Sequence, residues 1–126
     1  MNFLHRQVGE RYGWLALLVG LLLMGCSQQS AVVDGNIQRG AATIRAYGCG
    51  ACHVIPGVRG AHSYVGPPLN EWAERHYIAG NLINTPENLI AWLRDPAAIE
   101  PGTAMPNVGL SDQEARDISA YLYSLR

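Results

Sequence analysis

Three side chains in the stretch "YGCGACHVIPG", Tyr47 to Gly57, can do chemistry together: Cys49, Cys52 and His53. Two thiols at this spacing can cycle as a redox dithiol or supply half of a zinc site. They can also add across the two vinyl groups on one edge of a haem, with the following histidine reaching beneath the ring to ligate iron. A thioredoxin-like dithiol belongs in a βαβ context, and no segment here alternates with period two for long enough to be a strand. A closed zinc site needs four ligands. His62 and His76 are isolated, and no further cysteine stands near the pair. Haem attachment is the chemistry the spacing supports, with His53 as an iron ligand.

Six-coordinate iron needs a second axial ligand. Beyond the first 25 residues the chain has a single methionine, Met105, in the loop "EPGTAMP". A lone methionine is commonly a gap-filler in a core. This one sits between Ala104 and Pro106, off any helical stripe, on a loop stiffened by proline. That is what a fixed thioether ligand requires. His/Met ligation raises the reduction potential and leaves no open position on the iron, which disfavours oxygen activation or peroxidase chemistry.

The elements that must position these groups read as helices with long loops between them. Asp34 or Asn36 can cap a first helix, in which Ile37, Ala41 and Ile44 share a face. It runs to Tyr47-Gly48, at the cysteine pair. Val54 to Leu69 reads as loop, and Asn70 to Ala79 as a short helix or turn. Thr85-Pro86 starts a clearer helix with Leu89, Ile90, Trp92 and Leu93 on its apolar side, and Asp95-Pro96 ends it. "AAIEPGTAMPNVG" is again loop. Ser111 and Glu114 form a capping box for a last helix, with Ala115, Ile118, Leu122 and Leu125 on one stripe. The fold class is all-α. Its loops are too long for a plain bundle and need something inside to wrap around.

The N-terminus carries a different message. Trp14 to Met24 is an apolar run of 11 residues behind Arg6 and Arg11, too short for a span of ~20 and suited to an export signal. Leu23-Met24-Gly25-Cys26 resembles the lipobox of bacterial lipoproteins, in which the cysteine becomes the acylated N-terminus. The alternative is an uncleaved signal anchor. The expected organisation is a signal over 1–25, the lipidated Cys26 and a linker over 26–35, and a domain over 36–126. The domain is then exported and tethered to a membrane, in the periplasm or on the outer face of the cell membrane. All nine basic residues of the chain are arginines. From Cys26 onward seven of them face nine carboxylates, a formal charge of −2. No basic run points to nucleic acid.

From about Asn36 to Leu125 the chain resembles the class I cytochrome c family, on "GCGACH", "GPPL", Arg75, "WLRDPAAIEPGTAMP" and "DISAYL". The stretch from Ala79 to Ser111 is similar to the cytochrome domain fused to subunit II of some bacterial haem–copper oxidases. The resemblance implies one covalent haem c, held by Cys49 and Cys52 and ligated by His53 and Met105. It implies that the Pro67 carbonyl accepts a hydrogen bond from the His53 imidazole. It implies that Arg75 neutralises a haem propionate, against the plain reading of an ion pair with Glu71 or Glu74. Thr103 matches a threonine near the methionine loop and the propionates, and Trp92 a distal aromatic near the Met sulfur. Gly40, Ile44 and Tyr121 match the contact between terminal helices. Two features depart from the pattern. The usual propionate-bonding tryptophan before the Thr85-Pro86 helix is replaced by Leu82, Ile83 and Asn84, with Trp72 nearby in sequence but not at that place, and the lysine ring of soluble mitochondrial relatives is missing.

The implied role is a tethered one-electron carrier with no intrinsic enzyme activity. Its partners would be a quinol-oxidising complex or dehydrogenase as donor and a terminal oxidase as acceptor. The alternatives are a haem subunit fixed within an oxidase or dehydrogenase complex, and a gas or redox sensor or peroxidase.

Overall fold

The computed structural model of the protein describes residues 33–126. The expected signal segment and Cys26 lie outside the described residues. Helix α1 spans Ile37–Ala46, α2 Pro86–Arg94, α3 Pro96–Ile99 and α4 Asp112–Tyr123. Single 3₁₀ turns cover Cys49–Ala51 and Trp72–Glu74, and a minimal hairpin pairs β1 (Tyr77–Ile78) with β2 (Leu82–Ile83).

The helix starts follow their capping residues. Of the two candidates for α1, Asn36 caps, its side chain accepting from the Arg39 N–H at 2.8 Å. Thr85 caps α2 with Pro86 at the first position. The Ser111–Glu114 capping box of α4 is complete in both directions. Two local expectations change. The loop expected after Asp95 begins with α3, because the Asp95 carboxylate caps Ala98 and Pro96 suits a first helical turn. The two-residue strands Tyr77–Ile78 and Leu82–Ile83 are antiparallel and too short to leave a period in the sequence. The described chain remains helical in class.

The core is one cluster. Ile44 of α1 meets Ala115, Ile118, Tyr121 and Leu122 of α4, with Leu89, Trp92 and Leu93 of α2 and Trp72 completing it. Helices α1 and α4 cross with backbone nearly touching backbone. A Cβ placed on Gly40 would lie 2.0 Å from the Asp117 carbonyl oxygen and 2.9 Å from the Tyr121 Cβ. Only glycine fits there.

The same crossing buries a charge. The Asp117 side chain accepts from the Asn36 backbone N–H at 2.7 Å, from Arg39 Nε at 2.7 Å and Nη2 at 3.0 Å, and from Gln113 at 3.1 Å. Asp117 is 3% exposed. Led by the Arg39 hydrogen bond, these donors hold its pKa down at about 2. A carboxylate with its folded pKa below its unfolded value of about 3.9 stabilises fully above that value. The contribution is lost as pH falls toward 2. Asp117→Asn should therefore cost about 1–3 kcal/mol at pH 7 and much less near pH 2. Thermal melts at the two pH values test this; an equal loss at both would reject the charge-based account.

Candidate functional site

The cysteine pair lies on the 3₁₀ turn at the end of α1. The Cys52 and His53 N–H groups both donate to the Cys49 carbonyl, at 3.2 and 3.0 Å. Both thiols are free and half-buried. Burial pushes the Cys49 thiol up. A redox dithiol works through a nucleophile whose pKa is pulled down, so this environment opposes that reading. Among the described residues no three His, Cys, Asp or Glu side chains come together in a group that could hold a metal ion.

The imidazole of His53 is oriented by the loop opposite. Its Nδ1 lies 2.7 Å from the Pro67 carbonyl oxygen. A carbonyl can only accept, so Nδ1 carries the proton and Nε2 keeps its lone pair for a metal. Two backbone bonds fix that loop against the cysteine segment: Gly66 N–H to the Cys52 carbonyl at 2.7 Å and Leu69 N–H to the Val54 carbonyl at 2.8 Å. Gly66 lies directly on the ring. A Cβ there would come within 2.5 Å of Cε1 and 2.8 Å of Nδ1.

Arg75 reaches the same loop. Its guanidinium donates to the carbonyls of Pro68 and Asn70, the latter at 3.0 Å, and lies over the Trp72 ring at 5.2 Å. Burial lowers its pKa, with the Glu71 charge opposing. It makes no salt bridge to Glu74, whose partner is Arg126 at 3.6 Å.

The second candidate ligand stands on the loop between α3 and α4. Met105 is half-buried against the same core cluster as Cys49, and Trp92 belongs to that cluster. The Thr103 hydroxyl accepts from the Met105 N–H at 3.2 Å, and the Thr103 N–H donates to the Glu100 carbonyl at 3.0 Å. Glu100 in turn accepts from Asn81 at the hairpin, at 3.1 Å.

Sequence reasoning missed how the cysteine segment is clamped. Before it, the Tyr47 hydroxyl donates to Glu114 of α4 at 3.0 Å. After it, the Tyr121 hydroxyl of α4 donates to the Pro56 carbonyl. The bonds of Asn84 were also missed. Its amide donates to the Trp72 and Arg75 carbonyls at 3.0 Å each, and its oxygen accepts from Tyr123 at 2.9 Å. The partners of single tyrosines and asparagines lie far off in the chain, and no periodic signal marks them.

A family model described as cytochrome c matches residues 37–126. Cytochrome c oxidase subunit 2 of Alkalihalophilus pseudofirmus is 39% identical over 79 residues, which are 62% of this chain and 22% of that protein. The same subunit of Bacillus subtilis is 34% identical over 82 residues, 62% of this chain and 23% of that protein. The chain thus spans less than a quarter of the length of these relatives. Among solved structures, cytochrome c2 from Rhodobacter sphaeroides superposes with a TM-score of 0.58 at 20% identity, over 73% of this chain and 97% of the other.

Gly66→Ala should push the imidazole off the Pro67 carbonyl while leaving the helices in place. The readout is the His53 Nδ1–H resonance, slow to exchange in the parent and lost in the variant. A retained resonance would show that the loop yields instead.

Proposed function

Because the chain belongs to the cytochrome c family, we propose that it is a membrane-tethered one-electron carrier that delivers electrons to a terminal oxidase in a respiratory chain. The family binds one haem c covalently through two thioether bonds, and its iron supplies a one-electron couple between the ferrous and ferric states.

The residues present fit that group. The observation that carries the reading is the 2.7 Å contact of His53 Nδ1 with the Pro67 carbonyl oxygen, directly after Cys52 on a turn that also presents Cys49. It leaves Nε2 as a metal ligand of fixed orientation. Cys49 and Cys52 would anchor the haem and His53 would ligate one face. Met105 would ligate the other, on a loop held by Thr103 and Pro106. Arg75 and Thr103 would stand on the propionate side, and Trp92 would exclude water beside the Met105 sulfur.

The surface suits short-range hand-over. Tyr64 and Val65, immediately before Gly66, are exposed and uncharged. The chain has no lysine. Long-range steering between charges is weak here and is screened beyond about 10 Å at 0.1 M salt. A lipid on Cys26 would replace steering by confinement, which raises the effective concentration of a membrane-bound partner. The donor would be a quinol-oxidising complex or a dehydrogenase on the same side of the membrane.

A second reading, a haem subunit fixed within an oxidase complex, is favoured by one observation. The curated relatives are oxidase subunits four to five times the length of the matched segment. Co-purification at fixed stoichiometry after mild detergent extraction would select it.

Met105→Ala should abolish the weak near-infrared band of a thioether–ferric haem bond. The reduced protein should gain carbon monoxide binding. The potential should fall by about 0.1–0.3 V, within the ~0.8 V span that axial ligands control. A variant with an unchanged spectrum would exclude Met105 as ligand. For the tether, oxidase turnover should change little between low and high salt and should drop sharply in Cys26→Ser. A steep salt dependence of the anchored protein would refute it.

A further inference from the structure

Trp72 opens the 3₁₀ turn Trp72–Glu74 and is 5% exposed. Its indole Nε1 is closed off from solvent and has no hydrogen-bond acceptor among the described residues. An indole N–H can only donate. Left unpaired inside a protein, such a group has lost its bond to water with nothing in return, and native folds rarely carry one without a reason.

A second set of donors lies beside it. The Arg75 guanidinium covers the Trp72 ring, and only its Nη2 is used, on the Pro68 and Asn70 carbonyls. Glu74 is turned to Arg126. The backbone beneath both side chains is fixed, because Asn84 binds the Trp72 and Arg75 carbonyls together. A cation and a buried N–H thus stand together on the segment that follows the Pro67 carbonyl, and the described residues supply no oxygen to pair with the indole.

The haem brings such an oxygen. Its two propionates are its only hydrogen-bond-accepting carboxylates, and an anion beside Arg75 is where a buried donor gains most. The tryptophan expected before α2 for this purpose is absent, and Asn84, which stands there, spends its amide on backbone. We propose that Trp72 takes over that task from a different place in the chain: its indole N–H donates to a haem propionate beside Arg75. The proposal rests on the haem-binding reading above.

The test uses the haem-loaded protein. In the reduced, 15N-indole-labelled wild type, the Trp72 N–H should resonate downfield of a free indole and exchange slowly with solvent. In Trp72→Phe the ring stays and the donor goes. The propionate charge is then less neutralised, which favours ferric iron. At fixed poise the ferrous-to-ferric ratio should fall about three- to tenfold, tenfold being about 59 mV for one electron. Covalent haem content and the methionine band should persist. A haem-bearing Trp72→Phe with an unchanged ratio would overturn the proposal, as would a free-indole resonance in the wild type. If Trp72→Phe fails to hold haem, the wild-type resonance decides. A wild type without covalent haem would instead overturn the underlying reading.

Discussion

The contact on which the rest of the structure depends is the crossing of α1 over α4 at Gly40. With no side chain at that point the two backbones approach until only glycine fits against the Asp117 carbonyl. The Asp117 carboxylate then bonds the start of α1 through the Asn36 N–H and Arg39. Hydrophobic burial drives the two helices together without fixing their register. The glycine contact and the buried carboxylate fix it. Asp117 leaves no charge unpaired in the core, which is the condition under which a buried ion stabilises a fold.

From that crossing the site follows. Helix α1 ends at the cysteine turn, so the position of α1 sets the position of both thiols. Helix α4 then holds the segment on each side, through Glu114 to Tyr47 and through Tyr121 to Pro56. The opposite loop is attached by two backbone bonds and brings the Pro67 carbonyl onto His53. Arg75 closes that loop from behind. In the proposed role of a redox carrier such a frame is an advantage, because ligands held in place between oxidation states lower the reorganisation that transfer requires. Rigid packing of the surrounding side chains is the means.

Much of this was legible in the chain. The cysteine–histidine spacing points to haem attachment because two thioether bonds and one axial bond to a single ring admit few other arrangements. The capping box of α4, the Thr85-Pro86 start of α2 and the apolar stripes were legible because they are local, and local patterns are what periodicity records. Helix α3 was misjudged as loop because a proline both stops one helix and starts the next. The hairpin escaped because two residues cannot show alternation. The rival ion pairs proposed for Arg75 gave way to carbonyls of a loop the sequence could not fold back onto it.

The sequence by itself determined which thiols, which imidazole and which thioether are available for chemistry, and that the framework around them is helical. Those are properties of residue type and short spacing. Only the tertiary structure decided the clamp on the cysteine segment, the carbonyl partners of Arg75 and the burial of the Trp72 N–H. Each is a hydrogen bond, or a missing one, that no short spacing in the chain records. Such a bond exists only once the core has placed its two ends within about 3 Å of each other.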